Sequence, residues 1–167
     1  NVVPIYIAQL LHETEQYDRL IDYAPVVFSD AIKMKDSQRA DISRLVGDAL
    51  YRKQDFQAAL PYLEEAYHEA RGAGRTREFS YQMGYTYYQA EAFLKALTCF
   101  ALVVRNVDGM TQLAHYHTAA CYLALDEKNK AKTSFKKASE LDDDADVQED
   151  ALFSYAKLAY ELTFNPF

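Results

Sequence analysis

Gly47, Gly84 and Ala119 are three small residues that each open the same apolar pattern at the same spacing. Twelve residues on from each stands an alanine, at Ala59, Ala96 and Ala131. Four further come Leu63, Phe100 and Phe135, and three beyond those come Ala66, Val103 and Ala138. Successive alanines, Ala59, Ala96 and Ala131, are 37 and then 35 residues apart, near the roughly 34 residues of a repeat made of two helices. Such a register constrains the fold more than any other feature of the chain. A small residue where the two helices of a hairpin cross lets the backbones approach, and large side chains fill the holes around it. One hairpin cannot bury its apolar face alone, so consecutive copies must stack.

Each copy carries its own helical signature. Phe56, Ala59, Leu60, Leu63, Ala66 and Tyr67 fall on one face at 3.6 residues per turn, and Gln57, Glu64, Glu65 and His68 lie opposite. Apolar residues recur at three- and four-residue spacing along the chain, with almost no β-branched alternation, which predicts helices and no sheet. Polar turns separate the helices of a pair: Lys53-Gln54-Asp55, Ala90-Glu91-Ala92 and Asp126-Glu127-Lys128-Asn129. Between pairs, Arg71–Thr76 and Asp108–Thr111 break the chain with glycine and offer Thr76 and Thr111 as helix N-caps; Asp146 with Glu149 gives a third start signal. Pro25 and Pro61 fall inside second helices, where a missing amide and a ring clash cost about 3 kcal/mol. A kink or a late helix start is expected at both.

The segment from Val46 to Ala59, Val-Gly-Asp-Ala-Leu-Tyr-Arg-Lys-Gln-Asp-Phe-Gln-Ala-Ala, resembles the core of a tetratricopeptide repeat (TPR). Met83-Gly84-Tyr85-Thr86-Tyr87-Tyr88 with Phe93 and Ala96 follows the same pattern, as do Ala119, Tyr122, Ala131, Phe135 and Ala138; Ile7, Ala8, Leu11, Tyr17 and Leu20 form a degenerate earlier copy. The resemblance implies an all-α, right-handed α-solenoid of antiparallel helix pairs. It places repeats at about 1–36, 37–74, 75–110 and 111–145, with a half repeat at 146–167, in a single domain excised from a longer array. The stretch Ala151–Leu162 with Asn165-Pro166-Phe167 is similar to part of large envelope-associated repeat proteins of Gram-negative bacteria, which implies a soluble protein of the periplasm, or otherwise of the cytoplasm.

Composition narrows the partner. The 25 acidic against 18 basic residues leave a net charge of -7, a field that repels phosphate backbones and anionic lipid headgroups. Nucleic acid and membrane insertion are therefore not expected. The start, Asn1-Val2-Val3-Pro4, has no charged region ahead of an apolar run of the kind a signal peptide carries. Two cysteines, Cys99 and Cys121, are too few for a disulfide framework and read as buried small hydrophobes.

In TPR proteins partners lie along the concave surface made by one face of the first (A) helices. Counting from the anchors assigns that face to Asp41, Arg44, Asp48, Tyr51 and Arg52; to Glu78, Tyr81, Tyr85, Tyr88 and Gln89; to Leu113, Tyr116, Ala120, Leu123 and Ala124; and to Phe153, Lys157 and Tyr160. Of 14 tyrosines, six fall there: Tyr51, Tyr81, Tyr85, Tyr88, Tyr116 and Tyr160. Tyrosine joins large apolar area to a polar tip and recurs at binding hot spots; the competing reading of such a stripe is core. The binding residues singled out are Arg44, Asp48, Tyr51, Arg52, Tyr81, Tyr85, Tyr88, Tyr116, Leu123 and Tyr160. The Lys and Asn pair by which some TPR domains grip a C-terminal carboxylate is replaced here by Arg44 and Asp48, Tyr81 and Tyr85, and Tyr116 and Ala120, so that mode does not carry over.

Other motifs read plainly. His115 and His117 point to different helix faces and lack completing ligands, so no metal is expected. Asp142–Asp146 lacks the spacing of a calcium loop, Gly72–Thr76 lacks the lysine of a phosphate loop, and Lys130, Lys132, Lys136 and Lys137 read as an exposed convex face. No nucleophile with a base and no paired carboxylates have a signature, so neither a cofactor nor catalysis is expected. The leading expectation is a scaffold holding a protein or peptide segment in its groove. The alternative is a structural module that self-associates through the uncovered C-terminal helix, and a groove enzyme is a distant third.

Overall fold

A computed structural model describes residues 3–29 and 34–164; the link at 30–33 and the Asn165-Pro166-Phe167 motif lie outside them. The described residues form nine α-helices and one 3-10 turn, Gly72–Gly74, and no strand. They group into two units. In the first, α1 (Val3–Glu13) and α2 (Tyr17–Ser29) pack on α3 (Asp36–Arg52), which pairs with α4 (Phe56–Glu69). In the second, covering 77–167, α5 (Arg77–Gln89) pairs with α6 (Phe93–Val103), α7 (Gly109–Ala124) with α8 (Lys128–Ser139), and α8 with α9 (Ala145–Phe164). Within this unit α7 also touches α5, α6 and α9, the lateral stacking of successive A helices in a repeat array. No described helix is long and apolar enough to cross a membrane.

The small anchors sit where the repeat spacing requires. A methyl group added to Gly47 would lie 2.5 Å from Leu63 Cδ2, and one added to Gly84 would lie 2.8 Å from the Phe100 ring. Leu63 and Phe100 are fully buried. In the third pair the anchor is Ala119, clustered with Ala131, Phe135 and Ala138. Cys99 and Cys121 are buried and form no disulfide among the described residues.

The turns within pairs share a geometry the sequence reading did not specify. Glu15, Gln54, Glu91 and Asp126 are left-handed, with φ of 55°, 61°, 58° and 59°. The amide after each reaches back to the carbonyl five residues earlier: Gln16 to Leu11 at 2.8 Å, Asp55 to Leu50 at 3.0 Å, Ala92 to Tyr87 at 2.8 Å and Glu127 to Tyr122 at 2.8 Å. This is the Schellman closure of a helix end, usually built on glycine and here on polar residues. It recurs in α1–α2, so the degenerate first copy turns as the others do.

Three local expectations are corrected. The N-cap of α7 is Asp108, whose carboxylate accepts from the Thr111 amide at 2.9 Å, and Thr111 itself is a buried residue of the first turn. At α9 the capping carboxylate belongs to Asp144, which accepts from the amides of Asp146 at 3.1 Å and Val147 at 3.2 Å, two residues before the expected Asp146. Of the kink or late start expected at Pro25 and Pro61, the late start does not occur, because α2 and α4 begin at Tyr17 and Phe56 and run through both prolines. Both prolines are exposed, on the side where water can satisfy a carbonyl that lacks its helical donor.

Two side chains pin the joints between pairs in the second unit. Seven residues before Gly84, Arg77 donates from Nε to the Val103 carbonyl at 3.0 Å and from its two terminal nitrogens to Asp108 at 2.9 and 3.0 Å. Seven before Ala119, the fully buried Gln112 donates to the carbonyls of Leu141 at 2.7 Å and Asp144 at 3.1 Å, and accepts from the Asp144 amide at 2.8 Å. One register position thus clasps each link to the following A helix. The corresponding residue of the first unit, Ala40, has no side chain able to do so.

Gly84→Ala gains helix propensity of up to about 1 kcal/mol but overpacks the Phe100 ring at a cost of about 1–3 kcal/mol. Net destabilisation of about 1–2 kcal/mol is expected in urea titration, whereas Gly74→Ala, whose new methyl would meet only an ordinary contact at 3.5 Å, should be near neutral. Gln112→Leu strands buried carbonyls and an amide and should cost about 2–4 kcal/mol, read by the same titration.

Candidate functional site

The A helices turn one face toward their own second helix through the small anchor; the faces a few positions round are left for other contacts. In the first unit that face of α3 is charged. Asp48 accepts from His12 Nε2 of α1 and from Arg52 Nε, each at 2.7 Å, and the hydrogen bond from Arg52 to Asp48 raises the arginine's pKa. Arg44, one turn earlier, has its pKa lowered by burial, with Asp48 opposing. Tyr51 meets Phe56 edge-on at 5.5 Å between ring centres.

The second unit is aromatic. Tyr81 stacks on Tyr85 at 6.4 Å, and Tyr85 lies 6.2 Å from Tyr88. All three surround His117 of α7, at 6.1, 5.0 and 5.5 Å. Phe100 stacks on the imidazole from the core side at 5.9 Å, and Tyr116 meets it edge-on at 5.6 Å. Burial pushes the His117 pKa down to about 4, and its Nδ1 is buried with no hydrogen-bond partner among the described residues. The Tyr116 hydroxyl donates to Asp150 of α9, and that bond with burial pushes its pKa up to about 12. Gln89 donates to the Tyr85 hydroxyl at 2.9 Å.

The structure therefore brings the predicted residues into two groups. Arg44, Asp48 and Arg52 gather with His12; Tyr81, Tyr85, Tyr88 and Tyr116 gather around His117. Tyr81 and Tyr88 are half-buried and pack against the α6–α7 core, so the tyrosine stripe belongs partly to the core and partly to the surface. Leu123 is exposed at the far end of α7, and Tyr160 is exposed on α9 beside Phe164, at 4.6 Å, away from the His117 group. His12 and His117 were not among the predicted site residues. His117 was weighed only as a metal ligand, and its spacing from Ala119 carried no sign that three tyrosines of another helix converge on it.

No family model matches the chain, and no curated protein matches it. Solved structures do. MamA from Desulfovibrio magneticus RS-1 is 17% identical over 98% of this chain and 96% of its own, with a TM-score of 0.63. MamA AMB-1 reaches 0.68 at 17% identity over 99% of this chain and 86% of its own. A kinesin light chain from Podosopora anserina with nearly identical TPR-like repeats gives 0.62 at 11% identity over 98% of this chain and 87% of its own. At these identities the likeness establishes the fold: the chain is an all-α, TPR-like α-solenoid.

A neutral His117 links stability to pH. Its folded pKa, about 4, lies below the ordinary value near 6.5 that it regains on unfolding, so between these values the unfolded chain holds the extra proton. The contribution is complete above about pH 6.5 and is lost as pH falls toward 4, up to about 3 kcal/mol. Urea midpoints measured from pH 7 to 4.5 should fall steeply in the native protein and less in His117→Phe.

Proposed function

We propose that this chain is a protein-interaction scaffold that holds a peptide or protein segment on its A-helix faces. The observation that carries the reading is the cluster of Tyr81, Tyr85 and Tyr88 around His117. Half-buried rings locked by one another present aromatic area with little entropy left to lose on binding. Tyr81 meets Phe100 at 5.9 Å and Tyr88 meets Phe93 at 6.1 Å, so packing on α6 holds these two rings from behind while all three tyrosines stay partly exposed.

The natural guest is a segment of mixed aromatic and charged character; on the first unit, taken by itself, Arg44 or Arg52 is the group that would meet an acidic side chain. Asp48 already pairs with Arg52, which leaves less charge there for a guest and throws the weight of recognition onto the tyrosines. Tyr51, Leu123 and Tyr160 stand at the edges of this reading. Catalysis and cofactors form no part of it.

A second reading, self-association, is favoured by α9, whose Leu152, Phe153, Tyr160 and Phe164 are 55%, 68%, 66% and 65% exposed. Exposed apolar area on this scale marks an interaction surface. Light scattering over a range of concentrations separates the two, since self-association must grow with concentration.

Affinity capture followed by titration of the identified partner tests the scaffold. Tyr85→Ala should weaken binding at least tenfold, in line with the 2 kcal/mol or more typical of hot-spot tyrosines, and Arg52→Ala by less. Unchanged affinity in both variants would reject the tyrosine face as the site.

A further inference from the structure

A separate recess in the second unit is bounded by α6, α7 and α8. Its inner chamber, about 200 Å³, has an apolar floor made by Leu97, Phe100, Ala101 and Val104 of α6. Its mouth, at Tyr122, Ser134 and Lys137, runs into an outer trough of about 380 Å³ along α8, lined further by Asn129, Lys130 and Thr133. His115 stands at the chamber wall. His115 and Tyr122 lie on a different face of α7 from Tyr116 and Leu123, so this recess is distinct from the tyrosine surface and does not depend on its role.

The charge here opposes that of the chain as a whole. The net charge is -7, yet α8, Lys-Asn-Lys-Ala-Lys-Thr-Ser-Phe-Lys-Lys-Ala-Ser, holds five lysines and no acid. Lys128, Lys130 and Lys136 pair with Glu161, Glu127 and Glu140 at 4.0, 3.1 and 3.8 Å. Lys137, at the mouth, has no ion pair among the described residues. Its charge, after burial, is the second cause lowering the His115 pKa. An apolar chamber beneath an uncompensated cation lacks one thing, an anion attached to an apolar group.

We infer that this recess binds an acidic peptide segment, with one large apolar side chain seated in the chamber and a flanking carboxylate on Lys137; Lys130, already paired with Glu127, adds a weaker contact. The trough favours a peptide over a small amphiphile. From Asn129 to Lys137 it follows eight residues of α8, about 12 Å at 1.5 Å per residue, the span of about four residues of extended chain. The polar groups along it, Asn129, Lys130, Thr133 and Lys137, are spaced for backbone and carboxylate contacts.

The probe is a blocked peptide Glu-Asp-Phe-Asp-Glu, titrated by calorimetry at low salt against the native chain, with Gln-Asn-Phe-Asn-Gln, Glu-Asp-Ala-Asp-Glu and octanoate as comparisons. Saturable binding of the first peptide is expected, at least tenfold tighter than either control peptide. Lys137→Glu and, independently, Ala101→Phe, which fills the chamber from an exposed position, should each weaken it at least tenfold while circular dichroism stays unchanged. Tyr85→Ala should leave it unchanged, and that separates this site from the tyrosine face. No saturable binding, equal binding of the uncharged peptide, indifference to both chamber and lysine variants, or binding of octanoate without the peptide would each overturn the proposal.

Discussion

The approach of two helices at a point where one has no side chain, or almost none, underlies the rest of the molecule. At Gly47 and Gly84 the backbone of the A helix comes so near to Leu63 and Phe100 that even a methyl group does not fit without displacement. Close packing of this kind fixes the rotation of each A helix about its axis. Once that rotation is set, the residues a few positions round are assigned to the neighbouring pair, to solvent or to a partner. The aromatic group around His117, the charged group around Asp48 and the lysine-lined trough along α8 are all consequences of which faces remain after the small residue has met its large counterpart.

The A-helix faces are used differently in the two units. On α3 the exposed side is a chain of charges, with Asp48 shared between His12 and Arg52. On α5 it is rings that lean on an imidazole of the next A helix. That imidazole is held neutral at physiological pH by burial, so the aromatic surface carries no charge, although a histidine stands at its centre. Charged and aromatic A-helix faces are thereby segregated along the chain.

The fold was legible in the sequence because the spacing of Gly47, Gly84 and Ala119 from their partners is a direct image of the helix crossing. Periodicity reports which residues face inward, and Ala59, Leu63, Ala96, Phe100, Ala131 and Phe135 are all buried. What lay beyond it depends on atoms that periodicity does not see. Thr111 and Asp146 looked like caps because residue type alone favours them, but Asp108 and Asp144 hold the positions from which a carboxylate reaches the free amides. A kink or a late start is the expectation at Pro25 and Pro61; the late start is absent, and exposure makes both prolines tolerable where they stand. The candidate residues separated into groups because contacts between helices decide which tyrosines meet. His117 was invisible as their hub because its partners lie on another helix, about thirty residues away in sequence.

The clasp made by Gln112 carries one consequence for motion. The segment joining α8 to α9 is polar, largely exposed and rich in aspartate, which ordinarily describes a hinge. Yet the Asp144 amide is bonded to a side chain that has no access to solvent. For that amide to exchange its hydrogen, the carboxamide must be drawn out of the core of α7. The joint should therefore exchange on the slow timescale of the surrounding helices and not on that of a loop, and successive pairs in this unit should move together as one elastic body.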